Sequence, residues 1–263
     1  MNNHNPFDTS EFNNTIYSDP QRYDDEYWWK TDDIEFWKKI LEMAPGKKVL
    51  ELAAGTARLA IPLIREGAKY TGVEISPEFC KQAEKKLSQH KMDATFLQGD
   101  VRKLNLEQTY DLIFIGFNSF LHLLKDEDAE ACLMCVKKHM HKDTLFVIDI
   151  FVPNPLFLYR PETRFPVMEY IDSITGELIK VEEISVYHPD SGINNITWFY
   201  NTPTKIDDKV YSFTMRMFFP DTMNRLLIDA GFTIQEMIGT HDFTKFQEDS
   251  ELQIYLCGLN ERD

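Results

Sequence analysis

The sequence predicts an α/β protein, a doubly wound sheet covered by helices and interrupted by an antiparallel β insertion. Three observations predict it. Short apolar runs alternate with helical stretches from Lys48 onwards. Two of those runs, YDLIFIGF at residues 110–117 and TLFVIDIF at 144–151, are nearly continuous in Val, Ile, Leu and Phe, as strands buried on both faces are. Over residues 164–219, β-branched and aromatic runs are separated by turn signals, the pattern of a meander.

The elements follow in order. After Pro45-Gly46, residues 48–52 (KVLEL) form a short apolar strand, 58–65 (RLAIPLIR) a helical stretch, and 69–74 (KYTGVE) the next strand. Pro62 falls near the start of that first helix or kinks it. Ser76, Pro77 and Glu78 supply an N-cap, a first-turn proline and an acid at the positive helix end; Phe79, Ala83 and Leu87 then share one face. Residues 95–98 (TFLQ) add a strand and 126–140 a helix, and Pro153 and Pro155 break the alternation. The insertion reads as RFPVMEYI, ELIKVEEISVYH, INNITWFY and KVYSFTMRMFF, with turns at Thr175-Gly176, Asp190-Ser191-Gly192 and Asp207-Asp208. Helix returns over 220–230 with Gly231 as its stop, and 232–238 and 252–257 read as the last strands. The expected organisation is an aromatic-rich N-terminal segment over 1–45, an α/β domain from 46–152 and 219–263, and the insertion over 153–218.

The N-terminal segment is uneven. Residues 1–15 (MNNHNPFDTSEFNNT) are polar and expected to fray at the start. Over 17–37, Tyr17, Tyr23, Tyr27, Trp28, Trp29 and Trp37 stand among acids. This stretch reads equally as an amphipathic helix docked on the body and as a lid over a ligand.

Charge and cysteine content exclude several function classes. The 263 residues carry 28 Lys and Arg against 43 Asp and Glu, a net charge of −15. Nucleic-acid binding draws most of its affinity from cationic side chains on phosphates, so no nucleic-acid partner is expected, nor an anionic membrane surface. The apolar runs fall far short of the roughly 20 residues of a membrane span. With no basic and then apolar leader in the opening residues, a cytoplasmic protein is the default. Cys132 and Cys135 form a CxxC on a predicted helix, but no second ligand pair completes a zinc site, and His139 and His141 lie too close for finger spacing. No metal is therefore expected.

The chemistry concentrates at VLELAAGTARL, residues 49–59, where a strand leads into a helix. The small residues Ala53, Ala54, Gly55 and Ala57 let backbone approach a ligand closely, and free amides at the helix start make the spot polar. Glu74 ends the next strand 19 positions after Gly55, the spacing of a ribose-binding carboxylate. Asp100 follows the third strand, where it can accept from an adenine amine while the Val101 amide faces a ring nitrogen. A dinucleotide fits poorly, since GxGxxG is absent and Glu51 would repel a pyrophosphate but tolerate an ammonium group. The ligand that fits is a nucleoside with an amino-acid tail and no phosphate. Phe117, Asn118 and Ser119 end the fourth strand at the edge where open α/β sheets bind ligands.

These residues resemble the class I S-adenosylmethionine-dependent methyltransferases. VLELAAGTARL looks like their first motif, TGVEIS like the acidic ribose motif and GDV like the adenine motif, in order across about 75 residues. More loosely, the insertion followed by RMFFPDTMNRLLIDAGF looks like the small-molecule N- and O-methyltransferases, and IYSDPQRYDDEYWW resembles the segment that closes over the cofactor in such proteins. The resemblance implies a Rossmann-like sheet, mostly parallel with an antiparallel strand near the end, and S-adenosyl-L-methionine as cofactor. It implies cofactor contacts from Tyr23, Trp28, Glu51, Ala53, Gly55, Glu74, Ile75, Asp100, Val101, Phe117 and Asn118. Tyr17, His122, Trp198 and Arg216 become candidates for the acceptor side, with His122 the candidate base. Each has a plainer alternative: a structural hydrogen bond for His122, a solvated edge position for Arg216, insertion core for Trp198. Ala57 stands where the family has its third glycine, which predicts a weaker hold on the cofactor. Methyl transfer from a sulfonium needs positioning above all, and a base only if the acceptor must lose a proton. The expected protein is an enzyme methylating nitrogen or oxygen of a small molecule, as a monomer or homodimer. A cofactor-binding sensor without turnover and, less favoured by charge, a macromolecular methyltransferase remain as alternatives.

Overall fold

The structure, a computed structural model, describes residues 15–260. The polar stretch expected to fray lies almost wholly outside the described residues. In chain order, a 3-10 turn (Ile16–Ser18) leads to α1 (Pro20–Glu26) and α2 (Ile34–Met43). Strands and helices then alternate as β1 (Lys48–Leu52), α3 (Ala60–Arg65), β2 (Lys69–Glu74), α4 (Pro77–Gln89), β3 (Thr95–Gln98), β4 (Tyr110–Ile115), α5 (Asp126–Lys138) and β5 (Met140–Phe151). A short α6 (Pro155–Leu158) precedes β6 (Phe165–Ile171), β7 (Leu178–His188), β8 (Ile193–Asn201) and β9 (Lys209–Arg216). The chain continues through α7 (Pro220–Asp229), β10 (Phe232–Ile238) and β11 (Leu252–Leu259).

These elements form two compact units, one of residues 32–152 with 218–260 and the other of 15–31 with 153–217. The first carries a seven-stranded sheet in the order β10-β11-β5-β4-β1-β2-β3. Its central pairs are parallel, and β11 runs antiparallel to both β5 and β10. The core strands are apolar on both faces, with Val49, Leu50, Leu52, Leu112, Ile113 and Phe114 buried. Ser76 caps α4 by accepting from the Phe79 amide at 3.3 Å, ahead of the first-turn Pro77.

The division between the two compact units falls at 31/32 in this region. Its reason is α2, whose Phe36, Trp37, Ile40 and Leu41 share one face and bury in the sheet's core, with the Trp37 ring 4.4 Å from that of Phe114. Several element ends also differ from expectation. The strand expected through residue 117 stops at Ile115, because Phe117 and Asn118 both take left-handed backbone at φ 50° and 64°. Met140, expected to end a helix, begins β5, and α3 begins at Ala60 rather than at 58.

The second unit is a four-stranded antiparallel sheet in the order β6-β7-β8-β9. Alternation places Ile179, Val181, Ile196, Trp198 and Tyr200 on a buried face, with Ile16 and Tyr170 packed against them. Beneath that face Arg22 and Glu26 of α1 form a buried ion pair at 3.1 Å, and the guanidinium lies 4.2 Å from the Tyr211 ring centre. Burial pushes the Glu26 carboxyl up to about 7, against the pull of Arg22. Among the described residues, no helix is long and apolar enough to cross a membrane.

Candidate functional site

The carboxyl ends of β1, β2, β3 and β4 lie on one edge of the parallel sheet, where open α/β sheets bind their ligands. The loop after β1 is held in an unusual conformation. Ala53, Gly55 and Ala57 all have positive φ, at 56°, 57° and 66°, which costs a residue with a Cβ about 1–2 kcal/mol. A Cβ built on Gly55 would meet nothing within 4 Å, so the loop backbone faces open space there. Its neighbour is packed tightly: a Cβ on Gly72 of β2 would lie 2.6 Å from the Phe96 ring and 3.0 Å from the Ala54 methyl.

Glu74 ties this loop to the start of α4. One carboxylate oxygen accepts from the Gly55 amide at 3.0 Å and the other from the Ser76 amide at 2.9 Å. Burial raises its carboxyl above the ordinary range, and the amides oppose that rise. Glu51, buried at the end of β1, accepts from the Tyr70 hydroxyl. Burial pushes it up to about 8, while Tyr70 and the Arg58 guanidinium pull it down. Asp100 is gripped by Arg102, whose Nε lies 2.9 Å from Oδ1 and whose terminal nitrogen lies 2.8 Å from Oδ2. Arg102 also reaches Asp128 at 3.0 Å. Burial would raise the Asp100 carboxyl, but these bonds outweigh it and hold it below the usual carboxylate range. Ile75 and Val101, each half-buried, follow Glu74 and Asp100 directly.

At the end of β4, the left-handed pair Phe117 and Asn118 turns the chain sharply. Asn118 fastens the turn to β5: its amide donates to the Asp149 carbonyl at 3.1 Å and its side-chain oxygen accepts from the Phe151 amide at 2.8 Å. His122 ends the 3-10 turn that follows and is half-buried. Ten of the expected residues, Glu51, Ala53, Gly55, Glu74, Ile75, Asp100, Val101, Phe117, Asn118 and His122, thus sit at one sheet edge of one unit.

The other expected residues belong to the antiparallel unit. Tyr17 and Tyr23 belong to a group of mutually tilted rings, the Tyr23 ring centre lying 4.7 Å from that of Tyr27, while Trp28 is 70% exposed. Trp198 is in the unit's core, its indole N–H donating to the Glu183 carboxylate at 2.7 Å. Arg216 ends β9, half-buried.

Residues 49–143 match the family model described as a methyltransferase domain. Over that stretch, from β1 into β5, the chain is similar to methyltransferase domains. Solved structures share the fold over nearly the full length. The CcbJ methyltransferase from Streptomyces caelestis is 21% identical with a TM-score of 0.79, covering 94% of this chain and 99% of its own. The sugar N-methyltransferase KedS8 from Streptoalloteichus is 19% identical with a TM-score of 0.67, covering 89% and 92%. CalS10 from Micromonospora echinaspora, an amino pentose methyltransferase solved with S-adenosylmethionine bound, is 14% identical with a TM-score of 0.66, covering 87% and 91%. No curated protein matches the chain by sequence.

The α/β unit also gathers a second polar group at the same edge. Asp33, just before α2, takes both terminal nitrogens of Arg58 at 2.6 and 2.8 Å, and the Arg58 guanidinium lies 5.2 Å from the centre of the Phe117 ring. Asp149 of β5 meets His241 at 3.2 Å. Arg58 stands within the VLELAAGTARL motif, and Asp149 is the one acid in TLFVIDIF; a lone acid in so apolar a strand is the signal that could have marked it. Nothing in the sequence around His241 marks it.

Proposed function

We propose that the protein transfers a methyl group from S-adenosylmethionine to nitrogen or oxygen of a small molecule. The observation that carries this is the row of acids at neighbouring strand ends, Glu51, Glu74 and Asp100, around a left-handed loop whose Gly55 faces open space. The residues fit the cofactor. On this reading Glu74 holds the ribose hydroxyls, Asp100 and Val101 the adenine, and Glu51 the ammonium end, with Ala53, Gly55, Ile75, Phe117 and Asn118 against its body. Tyr23 and Trp28 are assigned to the covering segment, and Tyr17, His122, Trp198 and Arg216 to the acceptor side. When bound, the cofactor supplies an activated sulfonium methyl. The chain's own residues then position the acceptor and exclude water.

A small acceptor is supported by the net charge of −15, which disfavours nucleic acid and anionic membranes, and by likeness of fold to sugar and amino pentose methyltransferases. The proposal includes a cytoplasmic monomer or homodimer. Calorimetric titration with S-adenosylmethionine and S-adenosylhomocysteine, followed by transfer of labelled methyl to a panel of amino sugars, amines and hydroxyl compounds, tests it. Saturable binding and a labelled product whose mass fragments place the methyl on N or O are expected. Absence of cofactor binding, or binding without transfer to any panel member, sinks it.

A further inference from the structure

We propose that His241, oriented by Asp149, is the base that takes the proton an acceptor loses on methylation. The inference rests on the proposed function. Its ground is the arrangement after β10: the His241 ring is partly open to solvent, its side chain 13% exposed, and backed by Asp149, which is 4% exposed. His241 Nε2 lies 3.2 Å from Asp149 Oδ2, and no other hydrogen bond to the ring is present among the described residues. The Phe36 ring packs beside it, with ring centres 5.2 Å apart. Asp149 is itself pinned, since its carbonyl accepts from Asn118 in the left-handed turn after β4. Strained backbone of this kind persists where surrounding structure over-determines it, and it concentrates at functional sites.

A buried acid that orients an accessible imidazole is the arrangement that makes histidine a base. With Nε2 turned to Asp149, the proton on that nitrogen is committed and Nδ1 is left to accept. Beside the pair stands Asp33 from before α2, and Arg58 from the loop after β1 neutralises Asp33 with two hydrogen bonds. A divalent cation is a poor occupant because Arg58 already holds Asp33. In the step itself, the acceptor's lone pair forms the bond to the methyl carbon. The carbon–sulfur bond breaks with its electrons staying on sulfur, and the acceptor's N–H or O–H proton passes to Nδ1 of His241 and then to water.

Two readouts on the full chain test this. Nitrogen-15 imidazole shifts in the free protein at neutral pH should show the His241 proton on Nε2, and Asp149→Asn should disturb that tautomer; a proton resident on Nδ1 overturns the proposal. On a panel amine methylated by the wild type, His241→Gln should lower kcat by on the order of 10²–10⁴-fold at pH 7 with little change in KM. Its rate should keep climbing with pH toward the acceptor's own deprotonation, while the wild-type rate levels off earlier. Asp149→Asn should show a smaller loss of the same shape, which covers the case of a His241→Gln chain that fails to fold. A deficit and pH profile that appear in His122→Gln and not in His241→Gln overturn the assignment. No transfer by the wild type to any panel member overturns instead the functional reading beneath it.

Discussion

Ala57 is completely buried yet carries positive φ, at 66°. A methyl there is strained by about 1–2 kcal/mol, whereas glycine would adopt the conformation freely but lose up to about 1 kcal/mol more unfolded-chain entropy. Ala57→Gly should therefore leave stability unchanged or raise it by about 1 kcal/mol, read as a midpoint shift in thermal unfolding; a clear loss would mean the methyl contributes packing worth more than the strain. If the methyl also crowds the cofactor, titration should show tighter binding in the same variant. Glu51 yields a second expectation. Burial holds its carboxyl near 8, so at pH 7 it is mostly protonated. An ammonium group placed beside it favours the ionised form, so cofactor binding should expel a proton. Calorimetry in buffers of different ionisation enthalpy should report close to one proton released at pH 7. Glu51→Gln should abolish that release; a release that persists in the variant assigns it to another group and removes Glu51 from the ammonium end.

At the scale of elements, β1, β2 and the loop between them depend on Gly72. It pairs with Glu51 across the sheet and leaves room for the Phe96 ring and the Ala54 methyl. Gly72→Ala should cost about 1–3 kcal/mol by overpacking and should weaken cofactor binding, because relief requires Ala54 and its strained loop to move. Retained affinity at lowered stability would show that the loop is independent of β2. Most of this unit was legible because its signals are local. KVLEL, KYTGVE and TLFVIDIF declare buried parallel strands, and Ser76-Pro77-Glu78 declares a helix start. The insertion was legible too, since its turns punctuate alternating strands. The aromatic run over 17–37 was not resolved, because its residues serve two different cores. Tyr17 and Tyr27 pack in the antiparallel unit, and Phe36 and Trp37 in the α/β unit, a division that no period or composition reveals. The Arg58–Asp33 and His241–Asp149 pairs were hidden for a related reason. Their partners are 25 and 92 positions apart, and only the sheet order brings them to one edge.

For the whole molecule, each compact unit holds a buried acid raised far above its ordinary value, Glu26 to about 7 in one and Glu51 to about 8 in the other. Burial of the charged form is the cause in both. When a carboxyl titrates higher in the folded than in the unfolded state, the folded chain binds more protons between the two values, and stability falls as pH rises across that interval. Both groups therefore act in the same direction. Their stabilisation is full below the ordinary carboxylate value of 4.5 and is lost as pH climbs to about 7 for Glu26 and about 8 for Glu51. Surface carboxylates with lowered values, such as Asp242 at about 2 between the hydroxyls of Thr240 and Thr244, add a loss at the acid end only. Unfolding followed from pH 5 to 8.5 should thus show declining stability, on the order of 2 kcal/mol for each buried acid. Glu26→Gln should remove its share of the decline up to about pH 7, and Glu51→Gln its share over the whole range to about 8. Where the two units unfold in separate transitions, each substitution should act on its own. A saturating cofactor should offset only the decline assigned to Glu51, since the ligand stabilises the ionised form that burial penalises. A decline in the Glu26 transition that vanishes with cofactor, or stability flat in the wild type across the whole range, would show that the two buried acids do not set the molecule's response to pH.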